Sequence, residues 1–84
     1  MSGNRTYSQD DVRDIVLGLY QDVLSSKDIG ASDDFFDLGG DSTKGVQIIH
    51  RLYDEIGVKL TMAALFTGRT PEGVADEAMA LLAS

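Results

Sequence analysis

Three runs of apolar residues at helical spacing, each preceded by a capping residue, restrict what this chain can fold into. Val12, Ile15, Val16, Leu19, Tyr20, Val23 and Leu24 recur at the 3, 4, 7, 8 spacing of an amphipathic helix. Ser8 stands ahead of them as an N-cap, with Asp10 and Asp11 in the first turn, where carboxylates suit the helix dipole. A first helix is predicted over about residues 8–25. Gly18 falls inside this stripe and weakens it by about 1 kcal/mol relative to alanine unless something packs closely there. A second helix is predicted from Ser42 to about Ile56, capped by Asp41 or Ser42 and stopped by Gly57. Val46, Ile49, Tyr53 and Ile56, with Leu52 alongside, form its apolar face. "VKL" reads as a short extended link. Thr61 then caps a brief helical segment carrying Met62, Leu65 and Phe66. Thr70-Pro71-Glu72 is a cap followed by proline at the first helical position, and it opens a last helix to about Leu82. That helix is expected to bury Val74, Ala78 and Leu81, helped by Ala75 and Leu82. No period-2 pattern competes. The expected fold is all-α, a small bundle of three main helices plus one short helix, with a long ordered loop between helices 1 and 2.

Eighty-four residues make one domain. Residues 1–7 are expected to be a flexible polar terminus, and 8–84 a single folded unit. A chain this short has few side chains to divide between a core and an enclosed active site, which favours a module that works with other proteins. The formal charge of −7 excludes a nucleic-acid binder, which needs basic groups against phosphates. It suits partners with basic faces and keeps a small protein dissolved. With no cysteine there is no disulfide, thiolate metal site or protein-borne thiol nucleophile. No run reaches membrane-spanning length and no signal peptide is visible, so a cytoplasmic monomer is expected.

Catalytic groups are not evident, and the chain is expected not to be an enzyme. His50 lacks a serine–acid partner pattern and reads as a surface or structural residue. Asp33, Asp34 and Asp37 lack the ordered ligand spacing and terminal glutamate of a calcium loop, and read as a solvated acidic loop. No metal site is expected.

The informative stretch is the loop from Ser26 to Asp41, long enough to be either functional or disordered. Ile29, Phe35, Phe36 and Leu38 argue for order, because burying them would fasten the loop to the helices. At least one of the two phenylalanines should be a core anchor. Gly39-Gly40 permits φ > 0 and leaves no side chain beside Ser42. Ser42 then lies at a helix N-terminus, where free N–H groups and the dipole favour a negative group such as a phosphate ester. Read by itself, Ser42 is more simply a plain helix cap than a modification site.

"DDFFDLGGDS" resembles the phosphopantetheine attachment motif of carrier proteins of nonribosomal peptide and polyketide synthesis: aromatic-aromatic, any residue, Leu-Gly-Gly, any residue, Ser. The likeness continues through "VQIIHRL" and "GVKLTMAALFTGRTPEGVADEA", covering roughly residues 8–83. The resemblance implies that Ser42 receives a covalent 4′-phosphopantetheine arm from coenzyme A, through a phosphopantetheinyl transferase, and that the arm's thiol carries an aminoacyl or acyl group as a thioester. Such tethering raises the effective concentration of the intermediate at each partner without a binding pocket. Phe36, Leu38, Gly39, Gly40 and Asp41 would shape the attachment loop. Thr43, Val46 and Gln47 are candidates for contact with adenylation, condensation or tailoring enzymes. Helix 2 carries Lys44, His50 and Arg51 against Asp54 and Glu55, and with "FFDLGG" it looks more like a peptidyl than a fatty-acid-type carrier. Thr43 departs from the family, which usually has Leu or Ile directly after the serine. Gly45 stands where the family prefers a small residue. With Met1 in place and no flanking linker, a free-standing peptidyl-type carrier is expected. The alternatives are an acyl carrier of a polyketide pathway and an unmodified helical adaptor in which Ser42 only caps helix 2.

Overall fold

Residues 7–83 are described by a computed structural model of the chain. Four helices follow in order: α1 (Gln9–Val23), α2 (Ser42–Ile56), α3 (Met62–Gly68) and α4 (Pro71–Ala83). No strand occurs among the described residues. Of the terminus expected to be flexible, residues 1–6 lie outside the described residues, and Tyr7 is half-buried against the core.

Each helix starts where local chemistry says it should. The Ser8 hydroxyl accepts from the Asp11 amide while the Asp11 carboxylate accepts from the Ser8 amide, a reciprocal capping box. Thr61 Oγ1 accepts from Ala64 N at 3.0 Å and Thr70 Oγ1 from Gly73 N at 2.9 Å, which opens α3 and α4 in the same way. Gly57 ends α2 in the left-handed region at φ 73°, its amide donating to the Tyr53 carbonyl. α1 closes at Val23, one residue short of the end of its apolar pattern, with Leu24 as its C-cap, and Ser25 turns to φ 54° as the chain leaves the helix axis.

α1 packs against both α2 and α4, and α3 packs against both as well. The core between them holds Val12, Val16, Leu19 and Tyr20 of α1, Ile48 and Leu52 of α2, Leu65 of α3 and Val74, Ala75 and Ala78 of α4. Val58 and Leu60 of the link enter it too, confirming "VKL" as a segment with inward alternate residues. The Cα radius of gyration is 12.0 Å, close to the roughly 12 Å that size scaling gives for a chain of this length.

Helix 2 is turned differently from its sequence reading. Gly45, Ile48 and Leu52 are buried, while Val46 and Tyr53 of the expected apolar face are 47% and 48% exposed. Ile49 and Ile56 lie half-buried at the border. A Cβ on Gly45 would sit 3.0 Å from Leu65 Cδ2 and 3.1 Å from Met62 Cε. The bare side of the helix at Gly45 lets α3 come close, and that approach fixes which stripe faces inward. In α4, Val74, Ala75 and Ala78 are buried as expected, but Leu81 and Leu82 are exposed because the helix end runs past the elements it packs on. Gly18 meets nothing within 4 Å of where a Cβ would stand, so no close packing accounts for it.

Candidate functional site

The loop before α2 is tied down at several points. Ile29 and Phe35 are buried. Gln21 Nε2 donates to the Ile29 carbonyl and the Glu72 amide to the Ala31 carbonyl, which holds the loop against α1 and the start of α4. Phe35 is fully enclosed and lies with its ring centroid 5.1 Å from that of Tyr20. Phe36, half-buried, meets Phe35 edge-on at 5.2 Å and stacks on Phe66 of α3 at 4.7 Å with the planes 6° apart. An aromatic series therefore runs from the core outward to α3, and it anchors the loop.

Leu38 is not part of that anchor. It is 39% exposed, contrary to the expectation that its burial would fasten the loop. Phe35 and Ile29 already occupy the inward positions, and the turn through residues 35–39 carries Leu38 to the outside.

Asp34, expected from the sequence to belong to a solvated acidic loop, is instead bound to Arg69, to which no sequence signal pointed. Asp34 accepts from the amides of Phe36 and Asp37, forming the turn, and from Nε of Arg69 at the α3–α4 junction. Arg69 also lies over the Phe36 ring, 5.2 Å from its centroid. Its carbonyl accepts from both the Phe35 amide, at 2.9 Å, and the Tyr20 hydroxyl, at 2.8 Å. Arg69 adopts φ 63°, an uncommon angle for a residue with a side chain, and these contacts hold it there. The Arg69 hydrogen bond holds the Asp34 carboxyl below the usual carboxylate range, with the two amides adding to the effect. Burial pushes the Tyr20 phenol well above its ordinary value, so it remains a donor. Asp34 is thus a structural link rather than a solvated charge. Nothing in its local sequence could show this, because its partner lies thirty-five residues away.

Beyond the turn, Gly39 takes φ 94° and Gly40 packs flat on Phe35. A Cβ on Gly40 would lie 2.5 Å from Phe35 Cδ2 and 2.7 Å from Cζ, inside any real contact distance. The first glycine supplies a backbone angle and the second supplies closeness.

Asp41 is the N-cap of α2, its Oδ1 accepting from the Lys44 amide at 2.9 Å. Ser42 is therefore the first residue of the helix and not its cap. It is exposed, and among the described residues its hydroxyl has no hydrogen-bond partner. A hydroxyl in this position contributes little to the helix and stands open to an incoming enzyme. Apart from the Asp41 cap, no acidic side chain lies in the first turn of α2, where the amides are oriented toward an anion. Thr43, Val46 and Gln47 are exposed around it, while Phe36 and Gly40 are half-buried and Gly39 and Asp41 exposed. His50 is exposed, and no group of three or more potential metal-ligating side chains occurs among the described residues. The residues present fit a covalent phosphate-linked group: one free nucleophilic oxygen, no side chain on the two glycines before it, and a helix start to face the charge.

Comparison with known proteins agrees with this geometry. Residues 12–78 match the family model described as the phosphopantetheine attachment site. The chain is 42% identical over 71 residues to surfactin synthase subunit 2 of Bacillus subtilis (strain 168), a match that covers 84% of this chain and 2% of that protein's length. Among solved structures, it resembles a peptidyl carrier protein captured with the phosphopantetheine transferase Sfp and coenzyme A, with 25% identity and a TM-score of 0.78 over 90% of this chain and 95% of the other. The fold also superposes on BlmI, a type-II acyl-carrier-protein from Streptomyces verticillus, with a TM-score of 0.82 at 24% identity over 88% of this chain and 89% of that one.

Proposed function

This chain belongs to the phosphopantetheine-attachment-site family of carrier proteins, and from that premise we propose that Ser42 is the residue that bears the arm. Membership makes the chain a carrier that depends on covalent 4′-phosphopantetheine and does no catalysis itself. The single observation that carries the assignment of Ser42 is its free, exposed hydroxyl directly after an Asp41 that already caps the helix. In the transfer, Ser42 Oγ forms a bond to the phosphorus at the pantetheine end of the coenzyme A pyrophosphate. The bond from that phosphorus to the bridging oxygen breaks, adenosine 3′,5′-bisphosphate leaves, and the hydroxyl proton passes to a base outside this chain.

Once attached, the group supplies a thiol that holds a carboxylic acid as a thioester. The chain's own residues do the rest. Phe35, Phe36 and Gly40 hold the loop so that Ser42 stays presented, and Asp41 starts the helix without engaging that hydroxyl. Thr43, Val46 and Gln47 offer an exposed surface beside the attachment point.

The proposed cargo is an aminoacyl group of nonribosomal peptide synthesis, supported by the likeness to surfactin synthase and by the mixed charge of α2. The working form proposed is a cytoplasmic monomer, with residues 8–84 as one carrier unit. Its partners are a phosphopantetheinyl transferase and then adenylation, condensation or tailoring enzymes, each engaged briefly over a small interface.

The test is incubation with coenzyme A and a broad-specificity transferase, read by intact mass. One phosphopantetheine should be gained by the wild-type chain and none by Ser42→Ala. No gain, or a gain that survives the substitution, rejects the assignment. Offering adenylation enzymes and acyltransferases to the loaded chain then separates an aminoacyl from a polyketide-type acyl carrier.

A further inference from the structure

A glycine inside a helix costs stability, and Gly18 of α1 has neither of the usual reasons to be one. Its φ is not positive, and a Cβ there would meet nothing within 4 Å. What lies over it is a groove of about 290 Å³ along the seam between α1 and α2. Beside Gly18, buried Leu19 and half-buried Ile15 give the groove an apolar floor. Asp14 and Asp22 of α1 and Arg51 and Glu55 of α2 line its sides. Asp22 is bridged to Arg51 across the seam at 3.0 Å, and Asp14 is paired at 3.2 Å with Arg13, which does not line the groove. The exposed Glu55 carboxylate has no ion-pair partner among the described residues. Three carboxylates thus stand against one guanidinium, on a chain whose net charge is −7.

We infer that this groove is a docking site for a helix of a partner protein in which basic side chains flank an apolar one. The bare Cα of Gly18 lets a foreign backbone come close, and Ile15 and Leu19 offer contact to the apolar residue. Charge selects the partner. The excess of carboxylates attracts a cationic segment and repels an acidic one, a second copy of this chain included. The groove is also separate from the attachment point. At about 100° of turn per residue, Arg51 and Glu55 stand about 180° and 220° around α2 from Ser42. The exposed Val46 and Tyr53 stand within about 40° of it. An enzyme at work on Ser42 and a helix seated in the groove therefore occupy opposite sides of α2. The inference rests on the carrier reading only for its use: a partner held in the groove stays at high effective concentration near the arm while other enzymes come and go.

The test titrates the full ¹⁵N-labelled chain with a synthetic alanine-based helical peptide that carries arginines one turn either side of a leucine. A control peptide has glutamates in place of the arginines. Saturable amide shifts at Ile15, Gly18, Asp22, Arg51 and Glu55 are expected from the arginine peptide at low salt, and none from the control. Glu55→Lys should weaken binding about threefold or more, through loss and reversal of one surface charge. Gly18→Leu should abolish it. Gly18→Ala should weaken it while raising the thermal midpoint, which separates a filled groove from a damaged fold. Saturating arginine peptide should leave the rate of phosphopantetheine transfer to Ser42 unchanged. The inference is overturned by an absence of shifts, or by shifts spread over exposed acids elsewhere such as Asp28, Asp37 and Asp54. Binding that survives Gly18→Leu, or peptide that blocks transfer, would overturn it too. Shifts at the groove that grow with chain concentration alone would assign it to self-association instead. Each of these outcomes leaves the carrier reading standing, because loading is read separately by intact mass. Failure to load at Ser42 would sink that reading, and the titration of the unloaded chain would still decide the groove.

Discussion

Asp41 and Ser42 are neighbours with separate tasks. Asp41 accepts from the Lys44 amide and starts the helix, whereas Ser42 has no bonded partner among the described residues. Asp41→Ala should lower stability by about 1 kcal/mol, the ordinary cost of an N-cap. Ser42→Ala should change it by less than about 0.5 kcal/mol, as expected for a surface site, while abolishing phosphopantetheine uptake. Urea denaturation of the two variants, paired with intact mass, checks both halves. A large stability loss at Ser42 would return it to the role of a cap. The sequence narrowed the cap to these two residues but could not choose between them, because both are good caps and the choice depends on where the loop delivers the backbone.

At the scale of elements, the loop before α2 depends on one junction. Asp34 makes the turn and Arg69 fixes it to the α3–α4 connection, under Phe36 and against Tyr20. Because the folded-state carboxyl of Asp34 is depressed, its contribution is present above the ordinary carboxylate range and is lost as pH falls through the folded value. Wild type should therefore be more stable than Asp34→Asn at neutral pH, and the gap should close below about pH 4. Thermal unfolding of both proteins across that range measures it, and a gap independent of pH would mean the ion pair is not what holds the turn. The same scale decides the face of α2. Leu52→Ala should cost about 2–5 kcal/mol, as for a core leucine. Tyr53→Ala should cost less than about 1 kcal/mol, as expected at an exposed position. The reverse order would restore the face read from the sequence.

Taken whole, the molecule is a small acidic body with net charge −7, whose exposed Ser42 hydroxyl, the proposed attachment point, stands at the start of one helix. Steering by such a field weakens as salt shortens its range. The kcat/KM of phosphopantetheine transfer should fall as sodium chloride is raised from roughly 0.05 to 0.5 M, where the screening length drops from above 10 Å to below 5 Å. Transfer rates read by intact mass would show it, and a flat profile would remove charge from the encounter.

Sequence alone determined the four helices and most of their ends, and the loop motif that carries the family resemblance. Those features rest on contacts within a few residues: Ser8 with Asp11, Thr61 with Ala64, and a left-handed glycine at position 57. Tertiary structure decided what periodicity leaves open. α2 has apolar residues on too many sides for spacing to choose its inner face, and the choice came from how closely α3 can approach Gly45. Leu38, Leu81 and Leu82 ended outside because inward space was already filled or had run out, and Asp34 found its cation through the fold. Local hydrogen bonds can be read along a chain; competition for a finite interior is settled only when distant parts meet.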